Sequence, residues 1–112
     1  MQHPPLQVVK ADLFRALAHP TRIRILELLT TGERTVQQLQ AALHVEQPIV
    51  SQQLAVLRNQ MLVSVRREGT ASRYALRSTL VANLLRVARE FLNRRFSDSE
   101  TMHRELKRER SR

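Results

Sequence analysis

Gln47, Ser51, Gln52 and Gln53 lie within one short stretch of the chain, and none of them is charged. A carboxamide both donates and accepts hydrogen bonds, as does a hydroxyl. Such groups match the edges of nucleobases, and glutamine can engage adenine through two bonds at once. The plainer alternative is a polar helix face turned to water. Solvated helix faces, however, are usually built of lysine and glutamate, which are good helix formers and pair across a turn. The residues between the amides support a helix. Val50, Leu54 and Leu57, with Ile49, Ala55 and Val56 alongside, recur at helical spacing and bury one face, leaving the amide face outward.

The flanking chain reads as the frame for that helix. Pro48 fits its first turn, where a backbone amide would have no partner. Upstream, Thr35 can cap a shorter helix carrying Val36, Leu39, Ala42 and Leu43, and His44, Val45 and Glu46 break its pattern. Residues 35–60 thus form two helices joined by a tight corner, a helix-turn-helix whose second member would enter a DNA major groove by its N-terminal half. Downstream, Met61, Leu62, Val63 and Val65, then Tyr74 and Leu76, alternate around a segment containing Gly69, the pattern of a β-hairpin. Arg66, Arg67, Arg73 and Arg77 against Glu68 give this hairpin a net charge of +3. Arginines near such a tip suit phosphates or a minor groove, which makes the hairpin a wing. The alternative is that the charges only protect an exposed sheet edge.

Two helices precede this unit. The first carries Leu6, Val9, Leu13, Phe14, Leu17 and Ala18. The second opens at Pro20 and Thr21, carries Ile23, Ile25, Leu26, Leu28 and Leu29, and stops at Thr30, Thr31 and Gly32. After the hairpin, Ser78 caps a long helix with Leu80, Val81, Leu84, Leu85, Val87, Ala88, Phe91, Leu92 and Phe96 on a broad apolar stripe. A domain this small cannot cover the whole stripe. We therefore expect a homodimer interface made by Leu6, Val9 and Leu13 of the first helix and Leu84, Val87, Ala88, Phe91 and Leu92 of the last, the alternative being a cover for the chain's own core. The expected fold is mainly α with a small β-hairpin, a winged helix-turn-helix in the order α-α-α-α-β-β-α. Residues 1–5 form a flexible start, 6–97 the domain, and 98–112 a charged, disordered tail.

Composition narrows the partners. In 112 residues, 19 Lys+Arg stand against 10 Asp+Glu, a formal charge of +9, which points to a polyanion and first of all to nucleic acid. Lysine occurs only at Lys10 and Lys107, so the cation is almost always arginine, whose planar fork suits phosphate and guanine. There is no cysteine, hence no disulfide, thiolate metal site or thiol switch. Neither a membrane span nor a signal peptide is legible, and the expected location is cytoplasmic. Two glycines leave little room for a phosphate-cradling loop, and no nucleophile is paired with a base, so catalysis is not expected.

The histidines offer one candidate metal site. His19 and His44 fall at helix boundaries, where capping is the ordinary role, and His103 lies near Glu100 and Glu105 in the tail. At the start, the Met1 amine, the backbone amides of Gln2 and His3, and the His3 imidazole supply four nitrogens in a plane, the arrangement that Ni(II) or Cu(II) prefers. Those ions are the cofactors this terminus would take.

The order of elements and three local motifs resemble the ArsR/SmtB family of bacterial winged-helix repressors. LAHPTRIRIL at residues 17–26 is similar to the family's opening signature. QPIVSQQLAVL at residues 47–57 is similar to its recognition helix, with Gln53 where histidine is common. Arg67-Glu68-Gly69 followed by Arg73-Tyr74 is similar to its wing. The resemblance implies a homodimer on an imperfect palindrome of double-stranded DNA, with recognition helices about 34 Å apart. It places Gln47, Pro48, Ser51, Gln52, Gln53 and Arg58 of the helix, and Arg67, Thr70 and Arg73 of the wing, against DNA. It also implies release by a metal ion or small-molecule effector. Here the chain departs from the pattern: thiolate sites need cysteine, and between Ser78 and Ser97 the only acid is Glu90 and there is no histidine. A nonspecific architectural or RNA-binding basic protein is the alternative function. It would lose affinity with salt on every duplex alike, whereas a regulator keeps a preference for its operator.

Overall fold

Helix boundaries follow the capping chemistry written in the chain. The computed structural model describes residues 3–110, in the order α1 (Leu6–Leu17), α2 (Pro20–Leu29), β1 (Arg34–Thr35), α3 (Val36–Leu43), α4 (Gln47–Asn59), β2 (Val63–Glu68), β3 (Ala71–Leu76) and α5 (Thr79–Arg110). His19 is the N-cap of α2, its Nδ1 accepting from the Thr21 amide at 3.2 Å, and Pro20 follows at the first helical position. Thr35 and Gln38 form a reciprocal capping box at α3: the Gln38 amide donates to Thr35 Oγ1 at 3.2 Å and the Thr35 amide donates to Gln38 Oε1 at 2.9 Å. α3 ends on His44, whose left-handed backbone (φ 56°, ψ 40°) turns the chain toward α4.

The chain divides into two units, one reaching Ala82 and the other formed by the rest of α5. In the first, Ile25, Leu26, Leu29, Leu39, Val50, Leu54, Leu57, Leu62, Val63 and Val81 make the core. Burying each such side chain contributes about 1.5–3 kcal/mol, and this shared core fixes α4 against α2 and α3. The apolar faces expected for α2, α3 and α4 are therefore the ones that pack. Ile23, Ala42, Ile49 and Ala55, read as part of those faces, are instead exposed, the two isoleucines at the rims of the core and Ala55 on the open side of α4.

The sheet is three-stranded and antiparallel, in the order β1-β3-β2. β1 was not expected. Two residues are too few to show a period, and Thr35 serves both as the last residue of β1, opposite Arg73, and as the cap of α3. β2 and β3 pair from Val63↔Leu76 to Glu68↔Ala71, leaving a two-residue turn of Gly69 and Thr70. Gly69 alone has positive φ in that turn (62°), the sign pattern of a type II′ hairpin, where glycine belongs at the first central position.

α4 closes with a Schellman motif. The Leu62 amide donates to the Leu57 carbonyl and the Met61 amide to that of Arg58, both at 2.9 Å, and Met61 occupies the left-handed position (φ 58°) usually given to glycine.

Beyond Ala82 the second unit is helical throughout its described length. The structure thus departs from the expected disordered tail: residues 98–110 continue α5. Its Glu, Arg, Lys, Leu and Met residues are good helix formers, and no glycine or proline interrupts them. No helix among the described residues is long and apolar enough to cross a membrane.

Candidate nucleic-acid interface

The face of α4 opposite Val50, Leu54 and Leu57 is open. Gln47, Pro48, Ser51, Gln52, Ala55, Arg58 and Asn59 are exposed. The Gln47, Ser51, Gln52, Arg58 and Asn59 side chains have no hydrogen-bond partner among the described residues. Because α4 is anchored through its apolar stripe, these polar groups are held in place while remaining free to bond outward. Their spacing, with Gln47, Ser51, Ala55 and Arg58 in one row and Pro48, Gln52 and Asn59 beside it, follows the helical repeat.

Gln53 is placed differently. It is half-buried, and its Oε1 accepts from Nη1 of Arg22 at 2.9 Å. The same guanidinium donates through Nε to the Ala16 carbonyl at 2.6 Å and through Nη2 to the Arg15 carbonyl at 3.2 Å. Arg22 thereby satisfies carbonyls left open at the end of α1 and ties them to α4. Sequence reasoning met Arg22 only as part of a motif, since periodicity carries no information about a partner 31 positions away.

The two faces of the wing separate its arginines. Val63, Val65 and Arg67 share one face of β2, and Ser72 stands opposite Arg67 in β3. Val63 is buried and Val65 half-buried, so this is the face toward the helices; Arg67 extends it past the core and is exposed without an ion-pair partner among the described residues. Arg66, Glu68 and Arg73 occupy the other face. There Glu68 accepts from Arg66 Nη1 and Arg73 Nε, both at 3.0 Å, and Arg66 also reaches Glu33 at 2.8 Å. The Arg66 hydrogen bond, followed by the charge of Arg73, holds the Glu68 carboxyl below its ordinary range. The wing's net charge is therefore unevenly available, with Arg67 and Arg77 without ion-pair partners among the described residues and Arg66 and Arg73 engaged.

Between the start of α4 and the wing tip lies a cleft of about 350 Å³ lined by Val36, Gln37, Gln40, Gln47, Thr70, Ala71 and Ser72. It brings Gln47 and Thr70 to one place. Gln37 and Gln40 of α3 line the same cleft, and the argument from neutral amides on a helix applies equally to them.

Among the described residues no three His, Cys, Asp or Glu side chains gather as metal ligands. Met1 and Gln2, two parts of the expected N-terminal metal site, lie outside the described residues, and His3 is exposed.

Residues 19–65, which contain α2, the helix-turn-helix and the start of the wing, match the family model described as bacterial regulatory protein, arsR family. Over 99 residues the chain is 46% identical to the uncharacterized HTH-type transcriptional regulator Rv0081 of Mycobacterium tuberculosis, spanning 88% of this chain and 87% of that one. The chain belongs to the arsR family. This arsR-family protein is a winged helix-turn-helix DNA-binding transcriptional regulator. It is also 42% identical over 82 residues to a transcriptional repressor SmtB homolog of Synechocystis, covering 73% of this chain and 62% of the homolog. The crystal structure of M. tuberculosis Rv0081 is similar to this arsR-family fold with a TM-score of 0.80, at 45% identity, covering 86% of this chain and 97% of that one. The solution structure of the homodimeric winged helix-turn-helix DNA-binding domain of Mb0332 from Mycobacterium bovis is similar with a TM-score of 0.74, at 31% identity, covering 83% and 91%.

Proposed function

We propose that this arsR-family regulator binds an imperfect palindrome as a homodimer, in the cytoplasm, and represses by occupying DNA rather than by catalysis. The observation that carries the reading is the exposed face of α4, uncharged from Gln47 to Leu57 and without hydrogen-bond partners among the described residues, beside a wing whose Arg67 has no ion-pair partner there either. A neutral face of donors and acceptors gains little from phosphates and much from base edges, whereas the guanidinium gains from phosphate whatever the sequence. Gln47, Ser51, Gln52 and Gln53 contact bases or phosphates, Pro48 sets the start of the helix, Arg58, Arg67 and Thr70 serve the backbone, and Arg73, held by Glu68, joins them only when that ion pair opens.

Bare apolar surface supports the dimer. Leu6 and Val9 of α1 are 65% and 47% exposed, and Val87 and Phe91 of α5 are 52% and 64% exposed. Ala88 and Leu92 are also open, while Leu13 and Leu84 are half-buried. Apolar residues recurring on one helix in this way are the usual mark of an interface. The Mb0332 domain, similar in fold, is homodimeric.

Fluorescence-anisotropy titration against the chain's own upstream DNA and a scrambled duplex, at one salt concentration, tests the reading. A preference of about 10³ or more for the native duplex is expected. Equal affinity for both would replace it with a nonspecific architectural role.

A further inference from the structure

Arg22 and Gln53 together restrict what the recognition helix can read. Arginine carries five N–H donors and no acceptor, so the atom that Gln53 turns toward it must be the amide oxygen. Two other bonds, to the Ala16 and Arg15 carbonyls, hold the guanidinium in place. Gln53 Nε2 has no partner among the described residues and is not sealed from solvent, since no buried side-chain nitrogen or oxygen there is left unpaired.

We infer that Arg22 is a positioning residue that turns the Gln53 oxygen away and biases Gln53 toward donating to DNA. This rests on the reading of α4 as a base-contacting helix. A free glutamine grips adenine by donating to N7 while accepting from the N6 amino group. With Oε1 already accepting from Arg22 and turned toward it, only one lone pair is left and the second half of that grip is weakened. The remaining N–H groups match bases that present acceptors alone in the major groove, guanine through O6 and N7 or thymine through O4. Arg22 thus shapes base preference without touching DNA.

The test uses the full chain and an operator whose half-site base pairs are changed one at a time. For the wild type, the position made insensitive by Gln53→Ala should prefer guanine or thymine on the contacted side, and adenine there should cost about tenfold in affinity. In Arg22→Met the freed oxygen should cut that cost to about threefold or less, with preferences at the other positions unchanged. The slope of affinity against salt should stay the same, because no phosphate contact is removed. If Arg22→Met fails to fold, Gln53→Glu, which still accepts from Arg22 but has no N–H to donate, should lose the preference for guanine or thymine at that position.

Unchanged base preference in folded Arg22→Met, or in Gln53→Glu, would overturn the inference, as would a Gln53→Ala loss spread equally over all sequences. A wild-type protein with no preference for any operator would instead remove the reading of α4 on which the inference rests.

Discussion

Arg66 and Arg73 stand directly opposite each other on the wing, and one carboxylate oxygen of Glu68 accepts from both. Like charges facing across a ladder repel. Here the shared acceptor converts them into a latch on the face away from the helices.

Glu68→Gln should release that latch and expose cationic charge. We expect tighter binding to scrambled DNA and a slope of log affinity against log salt steeper by about one, measured by titration at several salt concentrations. An unchanged slope would show that these arginines do not reach phosphate. The pH dependence has a definite sign. Because the carboxyl is held below its ordinary range, its contribution to wing order is complete above about pH 5 and fades as the pH falls through the lowered folded value.

Gln52 and Arg67 should separate reading from holding. Gln52→Ala should weaken operator binding by about 1–3 kcal/mol and leave scrambled DNA unaffected, whereas Arg67→Ala should weaken both and flatten the salt slope by about one. Equal losses on both duplexes for Gln52→Ala would remove its assignment as a base reader.

Met61 holds a left-handed conformation that costs a side chain about 1–2 kcal/mol. Met61→Gly should stabilise the protein by about 0.5–1 kcal/mol after the added freedom of the unfolded glycine is discounted. Urea denaturation would show a higher midpoint at constant slope. A lower midpoint would mean that contacts of the methionine side chain outweigh the strain.

Phe91→Asp places a charge in the bare stripe of α5. Sedimentation should show monomers, and operator affinity should collapse because the second half-site is no longer bound in the same event. A dimer that survives the substitution would move the interface elsewhere.

Most of this architecture was legible because its elements are longer than one period of their pattern. Val50, Leu54 and Leu57 announced the buried side of α4, His19-Pro20 announced the start of α2, and Thr35 announced α3. β1 was hidden because two residues carry no alternation. The helix through residues 98–110 was hidden because Met102 and Leu106 are its only large apolar residues, and charge-rich segments read as unstructured even when most of their residues favour the helix. At the site, the open amides were legible as a neutral cluster. What remained invisible were pairings through space: Arg22 with Gln53, and Glu68 with two arginines on the opposite face from Arg67. The first joins residues far apart in the chain; the second depends on strand register, which a list of arginines near a turn does not supply.

Residues 47–57 contain no charged side chain, while the cations lie beside them in Arg58 and on the wing. On the reading of α4 proposed above, selection of a gene and residence on the chromosome can therefore be adjusted independently. Exchanging Gln52 or Ser51 for another small polar residue would redirect the protein to a different address without altering how long it lingers at random sequence or how quickly it scans the genome. A duplicated copy could acquire a new target by changes confined to that neutral stretch.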